Sequence, residues 1–367
     1  MDETILARLH ELQEARRGTE DNLPAMMPLS RYREAPPQPE ELIEGILRRG
    51  HKMLISGGSK AGKSFLLMEL CVAIAEGGLW LDTFRCRKGR VLYVNLEIDH
   101  ASAVNRFLRI YEAKGIPREH DGDIVIWTLR GHAEPMDKLV TRIVRRMKNK
   151  QFDAVVIDPI YKVITGDENS AGNMGVFCNQ FDRICAETGC STICCHHHRK
   201  GAQGFKRAMD RASGSGVFAR DPDAQLDVIR LELTREMQKH ARDGNATAWR
   251  MESSLREFAN ITPLNFWFEY PVHRPDTEGV LEAAAAEGDP QGNLVRAGRY
   301  STREERRSSV DRAYDALKPG GPVTVKAMAE FNGLTERCVR DRLRELDDLY
   351  WVRGGVVGRR EAGDRDG

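Results

Sequence analysis

The sequence predicts an α/β fold: a mostly parallel sheet flanked by helices, followed by a small second module. Three observations carry that prediction. Short apolar runs alternate with helix-length amphipathic runs from residue 52 to residue 195, the pattern of parallel strands joined by crossover helices. A glycine-rich phosphate-loop pattern sits between the first such strand and the first helix, in the strand, loop, helix order that the pattern needs to be credible. A β-branched run, Val155-Val156-Ile157, then ends in an acid, Asp158.

Element by element, residues 1–40 read as a polar arm with a short helix over 4–16 and a proline-rich stretch, Pro36-Pro37-Gln38-Pro39. Residues 41–49 suggest a helix that feeds the strand 52–56. The run 65–75 has no helix breaker and is a helix. Strands follow at 91–96, 124–127, 154–157 and 191–195, with helices at 100–113, 136–148 and 173–187 between them. After residue 225 the pattern changes to sequential strands at 226–233, 248–255 and 264–268, an antiparallel extension. The core therefore covers 41–271. Residues 272–307, with Pro275, Gly279, Gly288-Asp289-Pro290 and an alanine run, have the composition of a flexible linker, and a second module occupies 308–360. A chain of 367 residues is long enough for one large core plus such a module.

Composition excludes some classes. No apolar stretch reaches the roughly 18 residues that span a bilayer. The N-terminus, Met1-Asp2-Glu3-Thr4, lacks a basic region followed by an apolar core, so a secretory signal is not expected. The eight cysteines do not have disulfide-framework spacing; Cys178, Cys185, Cys190, Cys194 and Cys195 crowd one core-like region, which suits buried thiols in a reducing cytoplasm. A net charge of +1 does not advertise nucleic-acid binding, so any such binding must come from local patches.

Residues Gly57-Gly58-Ser59-Lys60-Ala61-Gly62-Lys63-Ser64 fit G-x-x-x-x-G-K-[ST] without departure. Glycines let the backbone curl so that N–H groups face phosphate oxygens. Lys63 supplies charge to the β- and γ-phosphates, Ser64 a hydroxyl to Mg²⁺, and the helix its positive end. ATP and Mg²⁺ are the expected cofactors. Asp158, delivered by its strand beside the loop, orders Mg²⁺ through water. No glutamate follows it; the next residue is Pro159. The base that activates water must then come from elsewhere, and Glu97, at the end of the strand 91–96, faces the γ-phosphate position from the carboxyl end of the sheet. Asp99 is its competitor. Cys194-Cys195-His196-His197-His198 invites a zinc reading, but neighbours on a strand point to opposite faces and no separated Cys-x-x-Cys pair completes a tetrahedral site. His196 or His197 instead suits a γ-phosphate sensor.

The order of phosphate loop, Glu97, Asp158 in Val-Val-Ile-Asp-Pro, and His196-His197 with Lys200-Gly201 resembles the RecA-type ATPase core, specifically the RepA-like hexameric replicative helicases of plasmids and phages, relatives of the DnaB helicases. The resemblance covers about residues 40–270. It implies Glu97 as base, Asp158 as the Mg²⁺-associated acid, His196 or His197 as sensor, and a polar loop at Asp167-Glu168-Asn169-Ser170-Ala171. The ring reading implies a homo-hexamer that holds single-stranded DNA in a central channel through the basic stretch 199–216, with Lys200, Lys206, Arg207 and Arg211. It also implies an arginine supplied by the neighbouring subunit, for which Arg256 is the first candidate, with Arg235 and Arg220 as alternatives. The rivals are a RecA/RadA-type recombination ATPase and an ATP-gated DNA-binding regulator that does not unwind DNA.

The C-terminal module departs from that family. Helices at 309–317, 325–331 and 336–348, with Gly333 and Thr335 at a turn, have helix-turn-helix spacing. Val339, Leu343 and Leu346 share one face of the last helix and Arg337, Arg340 and Arg344 another. Residues 350–357 read as a hairpin around Gly354-Gly355. The whole resembles a winged-helix domain, with duplex DNA or a replication protein as its partner.

Overall fold

The computed structural model describes residues 26–31, 34–58, 61–148, 150–168, 170–197, 220–287, 303–332 and 336–360. The expected helix over 4–16, loop residues Ser59 and Lys60, the basic residues Lys200, Lys206, Arg207 and Arg211, and the turn at Gly333 and Thr335 lie outside them. Two compact units divide the chain at Pro39. Of the first, the described part holds a 3-10 turn, Leu29–Arg31, with no buried residue.

The second unit begins with strands β1 (Glu41–Ile43) and β2 (Leu47–Arg48), then β3 (Lys52–Gly57), helix α1 (Lys63–Glu76), β4 (Leu79–Trp80), β5 (Phe84–Arg85), β6 (Val91–Asn95), α2 (His100–Lys114), β7 (Ile124–Thr128), α3 (Met136–Met147), β8 (Ala154–Asp158), α4 (Ala171–Thr188), β9 (Ser191–His197), β10 (Ala224–Leu231), α5 (Arg235–Gln238), β11 (Thr247–Leu255), β12 (Leu264–Glu269) and β13 (Val272–Pro275). The rest is α6 (Arg303–Leu317), α7 (Val325–Asn332), α8 (Glu336–Glu345), β14 (Tyr350–Arg353) and β15 (Val356–Arg359).

Among the described residues, one nine-stranded sheet runs β13-β12-β11-β10-β3-β9-β8-β6-β7. The strands from β10 to β7 pair in parallel. The other three close the edge antiparallel. Period-two alternation divides the parallel strands between two cores. Met53, Ile55, Val91, Tyr93, Ala154, Val156, Ile193 and Cys195 pack in one with the residues of α1 and α2. Leu54, Leu92, Val94, Val155, Ile157 and Cys194 pack in the other with the residues of α3 and α4. This is a helix–sheet–helix sandwich in which the parallel strands are covered on both faces, which is why they read as unbroken apolar runs.

Two expectations are corrected. Residues 41–49 form the β1–β2 hairpin, not a helix: Gly45 turns at φ 67°, and Leu42, Ile43, Ile46 and Leu47 are all buried. Their i, i+4 spacing imitates a helical stripe, but a glycine in the left-handed region belongs to a turn. The supposed linker also begins too early. Residues 272–275 are the sheet's edge strand, paired with β12, and Leu281 and Ala284 are buried against Leu231, Ala248 and Trp267. Small and turn-forming residues there pack a satellite core instead of remaining solvated.

Residues 303–360 build their own core from Val310, Ala313, Val325, Met328, Val339, Leu343, Leu346, Tyr350 and Val357. The β14–β15 hairpin turns at Gly354 and Gly355, with φ 56° and 82°. Its second strand is tied to the start of α7 by Val357 N–H to Val323 O and Val325 N–H to Gly355 O.

Candidate active site

The phosphate loop leaves the carboxyl end of β3 between β9 and β10. Gly57 has no room for a side chain: a Cβ there would lie 3.2 Å from the Val228 carbonyl of β10. Gly62 sits at φ 68° as the cap of α1, and a Cβ on it would lie 3.0 Å from Nε2 of His273. His273 comes from the edge strand β13. It is buried, and its Nδ1 lies 2.5 Å from Glu69 Oε1 on α1. Glu69 Oε2 is in turn 3.5 Å from Lys114 Nζ.

Lys63 is 7% exposed. Its ammonium donates to the carbonyls of Gly57 at 2.8 Å and Gly58 at 2.7 Å, and lies 3.3 Å from Nδ1 of His197. Burial lowers its pKa, opposed by the nearby Cys195, Asp158 and Glu97. The bonds to its own loop are of the kind that an anionic phosphate readily displaces, because hydrogen bonds between charged partners are the stronger ones. Ser64 is half-buried in the first turn of α1.

Asp158 ends β8 and is 4% exposed. Its Oδ2 accepts from Tyr93 Oη at 2.5 Å and its Oδ1 from Cys195 Sγ at 2.9 Å. Next to it Asn95, at the end of β6, is buried and accepts from the backbone N–H groups of Glu97 and Ile98. That turn carries Glu97 out of the sheet. The Glu97 carboxylate is exposed, and Tyr161 Oη donates to it at 3.4 Å. Asp99 has another use: it caps α2, accepting from Ser102 N at 2.9 Å and Ser102 Oγ at 2.7 Å. Those hydrogen bonds lower its pKa.

Strand parity separates the two histidines. His197 continues the face of Ile193 and Cys195, reaches Lys63, and has its ring 5.5 Å from that of Tyr161. His196 belongs to the opposite face; it is buried, with Nε2 3.9 Å from Glu168 Oε2. Lys63, Asp158, Glu97 and His197 therefore gather at one end of the sheet.

Arg256 is not among them. It follows β11, beside the amino-terminal end of β3, because Leu255 pairs with Ala224 and Ala224 with Met53. Its guanidinium bonds Asp223 Oδ1 at 2.8 Å and the carbonyls of Arg220 and Asp221 at 3.0 and 3.2 Å. A role toward a neighbouring subunit would break these bonds. Arg235 is exposed at the start of α5, beyond the carboxyl end of β10, where the phosphate loop also lies.

Sequence reasoning missed Tyr93, Cys195 and His273, and an aromatic group beside the loop. Phe65 packs against Tyr270, with ring centroids 5.2 Å apart, and lies 4.8 Å beneath the Arg106 guanidinium. Tyr270 is half exposed and accepts from Arg109 at 3.1 Å. Parity along β6, β8 and β9 would have placed Tyr93 and Cys195 on the face of Asp158. No local signal marks His273 or Tyr270.

The AAA domain family matches residues 19–203. The chain belongs to that family. With a mostly parallel α/β core, a strand-end acid and the phosphate-loop sequence, it is a P-loop ATPase. Among solved structures it is similar to a KaiC-like protein of the hyperthermophilic archaeon Pyrococcus horikoshii OT3, at 17% identity over 64% of this chain and 93% of that one, with a TM-score of 0.43. It is also similar to a second solved structure, itself an ATPase domain, at 13% identity over 62% of this chain and 85% of that one, with a TM-score of 0.43. Among the described residues, no helix is long and apolar enough to cross a membrane.

Proposed function

We propose that this AAA ATPase is a DNA motor, a ring-forming replicative helicase of a plasmid, phage or mobile element. The observation that carries the reading is the position of the exposed Glu97 carboxylate. It follows β6, the neighbour of the strand that ends in Asp158, and does not stand after Asp158 itself. Asp99, its rival, is committed to capping α2. Glu97 then orients and deprotonates the attacking water, while Lys63 and the loop N–H groups hold the phosphates. Hard oxygen donors suit Mg²⁺, and Ser64 with Asp158 supplies them; the ion, when bound, neutralises charge on the phosphates. His197, 3.3 Å from Lys63, is the histidine that senses the γ-phosphate. The half-exposed Tyr270 ring, backed by the buried Phe65, suits stacking of the base.

In this reading six copies close a ring around single-stranded DNA. Lys200, Lys206, Arg207 and Arg211, which follow β9 in sequence, grip the strand. Arg235 replaces Arg256 as the arginine offered to the next subunit. Residues 303–360 act as a winged-helix module that brings duplex DNA or a replication protein to the ring. Arg340 and Arg344 pair with Glu336 and Asp341 on the exposed face of their own helix. Such pairs are worth little and yield to phosphates.

Strand displacement on forked DNA tests this reading: unwinding that requires ATP supports it. ATP hydrolysis without unwinding, together with sequence-specific duplex binding, would favour the ATP-gated regulator. Glu97→Gln is expected to keep ATP binding and reduce turnover by about 10²-fold or more. Turnover near the parent level would remove Glu97 from the mechanism.

A further inference from the structure

We propose that Tyr93 and Cys195 are positioning residues for divalent-cation binding, which they serve by clamping the two oxygens of the Asp158 carboxylate from opposite sides. The inference rests on the reading of Asp158 as the acid that serves Mg²⁺.

The clamp follows from the sheet. Tyr93 lies on β6 and Cys195 on β9, the two strands that flank β8. Parity puts both on the face of Asp158, where each reaches a different oxygen: Oη to Oδ2 at 2.5 Å and Sγ to Oδ1 at 2.9 Å. Rotating the carboxylate about its last torsion breaks both bonds at once. One donor alone would leave the group free to swing about that anchor. Each oxygen can accept two hydrogen bonds, so each keeps an acceptor position for water on a cation.

The donors are fixed as firmly as their acceptor. Tyr93 is fully buried, with its ring 5.3 Å from that of Phe107 in an edge-to-face contact. Cys195 is 1% exposed. Hydrogen bonds to an ionised acceptor are the strong class, and groups that orient a metal-serving residue typically change metal affinity by about 10- to 100-fold when lost.

The experiment measures Mg²⁺ dependence of binding, not turnover. The full chain is titrated with a fluorescent ATP analogue across Mg²⁺ concentrations, with Mn²⁺ binding followed by electron paramagnetic resonance and melting temperature recorded alongside. Tyr93→Phe and Cys195→Ala are each expected to raise the half-saturating Mg²⁺ concentration about tenfold while metal-free nucleotide binding stays at the parent value. Cys195→Ser retains a donor and is expected to stay within about twofold of the parent. The inference is overturned if Tyr93→Phe and Cys195→Ala lower the melting temperature without moving Mg²⁺ half-saturation. It is equally overturned if Cys195→Ser is as impaired as Cys195→Ala. Asp158→Asn separates the two levels. If it leaves Mg²⁺ half-saturation unchanged, the Asp158 reading itself fails. If it shifts half-saturation and the donor variants do not, only the clamp fails.

Discussion

The path through strand β3 carries a buried lysine at each end, and the two are satisfied in opposite ways. Lys52, at the amino-terminal end, lies between Asp182 at 2.6 Å and Asp221 at 2.8 Å. Its backbone N–H donates to Asp223, which also binds Arg256. Burial acts to lower the Lys52 pKa, but its carboxylate partners prevail and raise it. Lys63, past the carboxyl end, donates to backbone carbonyls and touches His197, and its pKa is lowered by burial. A cation neutralised by fixed carboxylates is a staple. A cation that rests on neutral carbonyls retains charge for an anionic ligand. The difference marks the carboxyl end of the sheet as the one prepared for an anion, as the proposed reading requires.

That contrast is open to direct attack. The largest expected effect is at Lys63: replacing it with alanine should reduce ATP turnover at least about 100-fold, read by phosphate release, with little change in melting temperature. A stability loss without a turnover loss would reverse the assignment of the two ends. Lys52→Met should do the opposite. It leaves Asp182 and Asp221 short of a partner and should cost about 1–3 kcal/mol in denaturant unfolding, since one of those partners is well exposed, with turnover per folded molecule unchanged. Arg256→Ala should be the smallest, about 0.5–1 kcal/mol for an exposed pair, again without loss of turnover. A drop of about 10³-fold at Arg256, with stability intact, would restore it as the arginine offered to a neighbouring subunit and remove it from the staple.

The parts of the molecule that are legible in the sequence are those in which chemistry is local. The phosphate loop, Asp158 and Glu97 are each specified by a few adjacent residues, and parallel strands announce themselves because burial on both faces makes them wholly apolar. The choice between His196 and His197 is also available, since alternation along Ile193, Cys195 and His197 places the second on the face of Asp158; reading the three histidines as one cluster hides it. Residues 41–48 mislead for a physical reason: apolar positions four apart serve a hairpin folded at Gly45 as well as a helix. The pairing of His273 with Glu69, 204 positions apart, has no local sign, and residues 276–287 pack through alanines and turns that resemble a linker in composition.

The contact between Gly62 and His273 has a practical side. The sheet's last strand props the phosphate loop from behind, and the same histidine caps a line of buried polar groups through Glu69 to Lys114. Cutting the polypeptide after residue 271, where the composition first suggests a boundary, would sever that prop. Glu69 would then face solvent from within α1, and the glycine at the mouth of the loop would have empty space behind it. A piece that ends at residue 275 or later keeps His273 and with it that prop, so the phosphate loop is braced by a stretch that reads as disposable.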